Sequence, residues 1–401
     1  MTCDSSPGVL EGLLAGAHLA VPDDLPTLLM EHGSGLYASE VVLYLVDYDQ
    51  LVLVPVQAAE ASPRDELAIE GTVAGRCFRS LDIQRSATAE KGQRVWVPVI
   101  DGTERLGVLE FALAIDTPEV DERFTDRLRA FAGLVAELVV TKNAYGDFLE
   151  VLRRRRPMSI AAELAWNLLP PLTFGSGQVV ISGAVVPTHD LGGDSFDYGV
   201  DASTARFAVF DAMGHGLEAG LLATVAVAAY RNSRRRGLDL SGCVVAIDEA
   251  IRTQFGPDRF VTAVLGELDL ASGQLRWSLA GHPPPLLLRG GKIVKTLDAD
   301  VGLPLGLGIH ASPGTEMLEP GDKLVLYTDG LVEARSVDGE FFGIDRLVDL
   351  VRRAEVAQNP PPETLRQLVH AILAHQSGQL QDDATAVLVE WRSKEVETLK
   401  V

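Results

Sequence analysis

The stretch FAVFDAMGHG, residues 207–216, decides the fold, because an apolar strand-like run ends there in Asp211 and a glycine-rich turn. The arrangement recurs at residues 323–330, where KLVLY precedes TDG. It appears in reverse at residues 382–391, where two aspartates precede ATAVLVEW. Carboxylates are poor strand formers, so an aspartate at the end of a strand can project from the sheet without disturbing its core. The pattern predicts a sheet structure with acidic side chains where its strands end.

A fourth acidic motif, GGD at residues 192–194, precedes these three. Four carboxylates that converged on one point would repel one another strongly unless cations lay between them. Clusters of oxygen ligands that are all acidic suit Mg²⁺ or Mn²⁺. The four motifs therefore predict a two-metal site.

Six motifs in sequence order resemble the metal-dependent serine/threonine protein phosphatases of the PPM class, in the bacterial branch typified by the stage II sporulation protein E phosphatases. They lie between residues 158 and 391 and read GGDSFD, FDAMGHG, FVTAVLGELD, LAGHPPPLLL, LYTDGLVEA and DDATAVLV. The resemblance implies an αββα sandwich for residues 175–393. The fold class expected for the whole chain is α/β (α+β).

The resemblance also implies a role for each acidic residue. Asp211 matches the aspartate that bridges both metals, and Ala212 the residue whose backbone carbonyl binds one of them, although glycine is usual there. The other implied metal ligands are Asp194 for the first metal and Asp329 and Asp382 for the second. Asp197 and Asp383 are expected to be hydrogen-bond acceptors behind the ligands, or structural turn residues.

The implied reaction needs no protein nucleophile, because two Mn²⁺ or Mg²⁺ ions can lower the pKa of a shared water towards neutrality. His215 is the candidate proton donor to the leaving oxygen; the alternative is a turn residue, with metal-bound water donating. Eukaryotic members hold phosphate with an arginine before the first acidic motif, and residues 179–190 contain none. Metals and waters would then hold the phosphate, and protein–protein contact would set specificity. By family analogy the substrate is a phosphorylated anti-sigma-factor antagonist of the STAS type.

Residues 8–118 contain turn-flanked strands with helical stretches between them, which predicts an antiparallel sheet with helices packed on it. Their order resembles a GAF domain, a fold that often binds a small ligand, but no residue identifies one. Cys77 is expected to be a buried structural residue.

Residues 119–172 form the predicted helical connector. Apolar residues from 124 to 152 recur four and three positions apart, a period of 3.5 that is typical of a coiled-coil seam, and Lys142 interrupts them. This pattern predicts a parallel homodimer. The alternative is an amphipathic helix folded back on the GAF-like sheet. A second helix is expected at residues 159–169.

Composition limits the function classes. The 401 residues suggest two or three domains, and the net charge of −21 argues against nucleic-acid binding, because a phosphate backbone would be repelled. No apolar stretch is long enough to span a membrane, and residues 1–8 do not resemble an export signal. Three scattered cysteines form neither a disulfide frame nor a zinc site. A cytoplasmic location is expected.

Two other function classes remain open at this point. A catalytically silent relative could act as a dimeric scaffold or binding module, although such relatives typically lose a metal carboxylate and all four are present here. A metal-dependent hydrolase of nucleotides or small phosphoesters is the other, but the chain lacks a glycine-rich P-loop.

Overall fold

The computed structural model describes residues 6–58, 60–87, 92–113, 121–186, 192–300, 302–308, 312–377 and 382–392. The chain divides after Arg156 into two compact units. The division falls inside the predicted connector, so that residues 119–156 belong to the first unit and residues 157–172 to the second.

The N-terminal unit is a six-stranded antiparallel sheet with helices on both faces. Its helices are α1 (Ser6–Ala17), α2 (Leu25–Gly33), α3 (Val73–Ser80), α4 (Glu122–Asn143) and α5 (Phe148–Arg153). Its strands are β1 (Ala38–Val46), β2 (Val52–Val56), β3 (Leu67–Ala68), β4 (Gln84–Ala87), β5 (Gln93–Asp101) and β6 (Glu104–Leu113), in the order β3-β2-β1-β6-β5-β4. Alternate residues of β1 face the two helical layers, which is the arrangement that the turn-flanked strands predict. Cys77 of α3 is buried, as expected, and burial raises the pKa of its thiol.

The heptad seam is part of this unit's own core. Leu128, Phe131 and Val135 of α4 are fully buried together with residues of β1 and β6, and the Phe131 ring packs edge-on against Phe111 at 5.8 Å. Helix α4 ends at Asn143 and α5 begins at Phe148, so residues 124–152 do not form one continuous helix. The structure thus matches the folded-back helix and contradicts the free coiled-coil seam. The sequence could not separate the two, because an apolar stripe has nearly the same period whether a sheet or a second helix covers it.

Four consecutive arginines, residues 153–156, begin at the end of α5, and two of them contact the sheet or the loops beside it. Arg153 donates from Nε to the Val46 carbonyl at 2.9 Å, and its guanidinium lies 4.4 Å from the centre of the Tyr48 ring. The Tyr48 N–H donates to the Arg153 carbonyl at 3.1 Å, and Arg155 pairs with Glu66. These contacts fix the end of the N-terminal unit to its sheet.

The C-terminal unit contains two sheets between two layers of helices. Its helices are α6 (Ile160–Leu168), α7 (Gly216–Arg235), α8 (Leu240–Phe255), α9 (Asp329–Val332), α10 (Gly343–Val356) and α11 (Pro361–His375). Its strands are β7 (Thr173–Gly175), β8 (Val179–Val186), β9 (Asp194–Val200), β10 (Thr204–Ala212), β11 (Val261–Asp269), β12 (Gln274–Ala280), β13 (Leu286–Arg289), β14 (Lys292–Thr296), β15 (Gly314–Met317), β16 (Lys323–Tyr327) and β17 (Ala384–Trp391).

One sheet has the order β15-β12-β11-β10-β9 and the other β14-β13-β16-β17-β8-β7. The alternation of β17 shows how they stack: Val387 and Val389 face the other sheet, whereas Ala386 and Leu388 face α10 and α11. Helices α7 and α8 cover the outer face of the five-stranded sheet. The predicted αββα sandwich is confirmed.

Helix α6 also belongs to this unit, because Ala162 and Ala165 are buried in the core between the sheets. The compact unit therefore begins before the predicted boundary at residue 175. Among the described residues, no helix of either unit is both long and apolar enough to cross a membrane.

Candidate metal centre

Asp211 and Asp194 lie directly opposite each other on neighbouring antiparallel strands. Asp211 is the second-last residue of β10 and Asp194 is the first of β9. The Ala212 N–H donates to the Gly193 carbonyl at 3.1 Å and continues the pairing past the two aspartates. The two carboxylates therefore leave the five-stranded sheet at one end.

The six-stranded sheet brings the other two predicted ligands to the site. Strands β16 and β17 are antiparallel, with Tyr327 opposite Ala386, so Asp329 after β16 and Asp382 before β17 lie at the same end. Thr328 joins the two sheets, since its hydroxyl donates to Asp194 Oδ2 at 2.7 Å and accepts from the Thr385 N–H at 2.9 Å.

Two positions in the acidic motifs require glycine, because a backbone carbonyl of a neighbouring segment lies too close to leave room for a side chain. A Cβ at Gly330 would lie 1.9 Å from the Asp383 carbonyl oxygen, and one at Gly193 would lie 2.3 Å from that of Ala212. Both distances are far inside van der Waals contact. The TDG and GGD glycines thus allow the loops that carry the aspartates to touch.

The electrostatics show that the four carboxylates influence one another. Burial, then the charges of Asp329 and Asp382, raise the pKa of Asp211 to about 6. Burial, then the charges of Asp211 and Asp383, raise the pKa of Asp194 well above its usual range. Side chains from both sheets therefore share one region of negative potential.

The donor chemistry of this region fits divalent cations, because carboxylate oxygens are the ligands that Mg²⁺ and Mn²⁺ prefer and their mutual repulsion is what bound cations would relieve. Across the described ranges, however, no three Asp, Glu, His or Cys side chains are grouped tightly enough to hold a metal ion as they stand. The assignment of individual ligands stays a prediction.

Asp383 supports the GGD turn. Its Oδ2 accepts the N–H groups of Gly192 and Gly193, each at 2.7 Å. Burial raises the pKa of Asp383 to about 6 although these hydrogen bonds act in the opposite direction. The contacts are those of the hydrogen-bond acceptor that the sequence predicts.

Asp197 has a different environment from the one expected. It is buried in the middle of β9, opposite Ala208, so it is not a turn residue. Its Oδ1 accepts from Arg231 of α7 at 2.7 Å, and its Oδ2 pairs with Arg234. Arg231 also donates to the Leu168 carbonyl at 2.5 Å. Asp197 thus ties β9 to α7 and to the end of α6.

His215 and Ala212 flank the turn that follows Asp211. Ala212 is buried and ends β10, whereas His215 is exposed at the N-cap position of α7. Within the part of the chain that the structure describes, the His215 side chain makes no capping hydrogen bond. It is therefore close in sequence to Asp211 and open to a substrate.

A threonine and a histidine behind Asp211 were not predicted to act together. Thr262 Oγ1 lies 3.3 Å from Asp211 Oδ2 and 2.8 Å from His282 Nδ1, and His282 Nε2 lies 3.1 Å from the Tyr327 carbonyl. Burial lowers the pKa of His282 to about 4, so the neutral ring donates from Nε2 and accepts at Nδ1. These contacts give His282 a structural role. Its bridge between the sheets could be found only once β10 and β11 were paired.

A family model described as Stage II sporulation protein E (SpoIIE) matches residues 201–392. The C-terminal unit belongs to this family. The matched segment of the SpoIIE-family unit begins after the GGD motif. That motif is assigned to the candidate site because Asp194 lies opposite Asp211 in the sheet.

Two relatives of the SpoIIE-family unit come from Bacillus subtilis. Phosphoserine phosphatase RsbU is 24% identical over 235 residues, which span 58% of this chain and 69% of RsbU. Phosphoserine phosphatase RsbP is 24% identical over 190 residues, 45% of this chain and 46% of RsbP. Among solved structures, the SiaA-PP2C domain of Pseudomonas aeruginosa has a TM-score of 0.50 at 23% identity and covers 64% of this chain and 100% of that domain. The structural likeness shows the fold alone.

Proposed function

We propose that the chain is a metal-dependent protein phosphatase that hydrolyses phosphoserine or phosphothreonine on a regulatory protein. The observation that carries the proposal is the convergence of aspartates from both sheets: Asp194 lies opposite Asp211 and accepts a hydrogen bond from Thr328, the residue before Asp329. The similarity to two proteins named phosphoserine phosphatases supports it. The four carboxylates favour an enzyme over the silent scaffold.

Asp194, Asp211, the Ala212 carbonyl, Asp329 and Asp382 would hold two Mn²⁺ or Mg²⁺ ions. When bound, such ions supply an activated water and neutralise charge on the phosphoryl group. The protein's part is to keep the ligands in place.

The surrounding side chains keep the ligands in place through hydrogen bonds. Thr328 orients the Asp194 carboxylate, and Asp383 holds the turn on which Asp194 is mounted. Thr262 lies behind Asp211, and His282 fixes it between the sheets.

A serine or threonine alkoxide leaves poorly, so proton donation helps its departure. Exposed His215 can supply that proton at the leaving oxygen. If it does, His215→Asn slows the release of an alkyl phosphate's alcohol much more than the release of a nitrophenolate, which leaves without protonation. Equal losses on the two substrates would mean that His215 is a turn residue.

The substrate that we propose to test first is a STAS-domain protein phosphorylated on serine, following the family analogy. We propose also that the N-terminal unit binds a small ligand as a GAF domain does and regulates hydrolysis. Metal-saturated turnover by the full chain and by residues 157–401 tests this point. Equal turnover by these two proteins would mean that the N-terminal unit does not regulate hydrolysis.

The central experiment measures hydrolysis of p-nitrophenyl phosphate and of the phosphoprotein with and without Mn²⁺. We expect slow aryl phosphate turnover that chelation abolishes. Asp211→Asn should lower turnover by roughly a thousandfold or more and weaken Mn²⁺ binding in calorimetry. Asp201→Asn, at an exposed residue that pairs with Arg206, is the matched control. Metal-loaded protein that hydrolyses neither substrate would favour the silent scaffold.

A further inference from the structure

Five large apolar side chains are exposed on one side of the candidate metal centre. Met213, Leu217 and Leu221 follow Asp211 on the turn and on α7, and Leu303 and Leu307 lie on the loop after β14. Their exposed fractions are 37% for Met213, 45% for Leu217, 43% for Leu221, 57% for Leu303 and 38% for Leu307. We call these five residues the apolar rim.

The α7 side of the rim is joined to the segment before β11. The Met213 N–H donates to the Phe260 carbonyl at 3.2 Å, and Glu218 of α7 pairs with Arg259 at 2.5 Å. Leu217 and Leu221 are four residues apart and therefore lie on one face of the helix. This half of the rim is a continuous surface that begins beside Asp211.

The loop with Leu303 and Leu307 lies on the other side of the same segment. Leu305 and Val261 exchange both backbone hydrogen bonds at 2.9 Å. A Cβ at Gly306 would lie 2.5 Å from the Arg259 carbonyl, which shows that the loop is in direct contact with the residue that pairs with Glu218. The two halves of the rim are thus neighbours across the start of β11.

Buried Asp248 of α8 fastens this loop. Its Oδ1 accepts the N–H groups of Gly306 at 2.8 Å and of Gly308 at 2.9 Å. Two charge-assisted hydrogen bonds at a buried carboxylate hold residues 306–308 firmly. Leu303 and Leu307 are therefore presented on a fixed support, and ordered apolar side chains grouped on a surface mark interaction sites.

We propose that the apolar rim is the docking surface for the folded phosphoprotein substrate, which would present an apolar patch beside its phosphorylated residue. The proposal rests on the proposed function. Ala212, next to Asp211, is paired with Val261, so the rim is continuous with the candidate metal centre. Any protein that brings a phosphoserine to Asp211 must lie over the adjoining surface.

The size of the rim excludes a small phosphoester as the molecule that it recognises. Met213 and Leu305 are attached to opposite sides of β11, which separates them by about two strand spacings, roughly 10 Å. A phosphate and its first few atoms cannot span that width while bound at Asp211. The chain's net charge of −21 does not attract a negatively charged phosphate, so apolar contact is the better source of affinity for a phosphoprotein.

The test compares a protein substrate with a small one. Leu221→Ser and Leu303→Ser are made one at a time in the full chain, with Val356→Ser as control because Val356 is an exposed apolar residue at the end of α10, in the other helical layer. The probes are a STAS-domain protein phosphorylated on serine and p-nitrophenyl phosphate, both with Mn²⁺.

Each rim variant should lose roughly tenfold in kcat/KM on the phosphoprotein, mainly through KM, and should keep its turnover of p-nitrophenyl phosphate within about twofold. The control should match wild type on both. Unchanged phosphoprotein kinetics, or equal losses on the two substrates, would overturn the docking role. Failure of the proposed function is distinguishable, because wild-type protein would then hydrolyse neither probe, or p-nitrophenyl phosphate alone.

Discussion

Thr328 donates its hydroxyl to Asp194 Oδ2 at 2.7 Å, although the two residues are 134 positions apart and lie at the ends of different sheets. This hydrogen bond crosses the sandwich at the point where the acidic motifs meet. It orients one carboxylate oxygen and partly offsets the effect of burial on the Asp194 pKa. The position of the Asp194 carboxylate therefore depends on the packing of both sheets.

Thr328→Val removes this hydroxyl with little change of volume. We expect Mn²⁺ affinity to fall by about tenfold, as is typical when a group that orients a metal ligand is lost. Thr328→Ser keeps the hydroxyl and should stay close to wild type. Calorimetric titration with Mn²⁺ measures both variants, and equal affinities for Val and Ser would contradict an orienting role.

Asp382→Asn should reduce activity far more than Asp383→Asn. An asparagine oxygen at position 383 can still accept the N–H groups of Gly192 and Gly193, whereas a predicted metal ligand at 382 needs its charge. Metal-saturated hydrolysis of p-nitrophenyl phosphate compares the two variants. The reverse order would show that Asp383 is the ligand of the pair.

Gly330→Ala should displace the segment that contains Asp382 and Asp383, because the new Cβ would lie 1.9 Å from the Asp383 carbonyl oxygen. We expect turnover to drop on the order of a hundredfold, since a shift of about 1 Å at a reacting centre has that effect. Gly177→Ala is the control, because a Cβ there meets no described atom within 4 Å. Wild-type turnover by Gly330→Ala would mean that the two loops can separate without consequence.

His282 should make the C-terminal unit less stable in acid. Its pKa falls from 6.5 to about 4 in the folded protein, so the unfolded chain takes up a proton first as pH decreases. The contribution of His282 to the free energy of unfolding is then fully present above pH 6.5. It decreases by about 3 kcal/mol as the pH falls to 4.

The His282→Gln variant should lack that part of the pH dependence. Hydrogen exchange in β11 and β12 during urea unfolding, at pH 7 and pH 5 without metal, measures the difference from wild type. The raised pKa values of Asp211 and Asp383 act in the opposite direction, but they are common to both proteins. Parallel curves for the two proteins would exclude His282 as the source.

Leu128→Asp should unfold the N-terminal unit and not merely separate two subunits. Leu128 is fully buried against the sheet, and an unpaired aspartate there should cost several kcal/mol, about 3–5. Val140→Asp, on the exposed side of α4, is the matched variant and should leave the unit folded. Limited proteolysis and sedimentation measure folding and association. A folded Leu128→Asp protein would mean that α4 can leave the sheet and that its seam is available to a second subunit.

The sequence by itself determined the acidic ends of the strands, and the order of its six motifs implied the sandwich through a family resemblance. Apolar strand-like runs and the aspartates at their ends are local features, which can be recognised over about eight residues as in β17. The tertiary structure decided what covers each surface. A 3.5-residue stripe does not say whether a sheet or another helix lies on it, so the seam of α4 was misread.

Contacts between distant residues were decided in the same way. Asp383 meets Gly192 across 191 positions, and Asp197 pairs with α7 only because β9 lies beneath that helix. Such partners depend on strand order and register, which many distant contacts establish together and no single motif records.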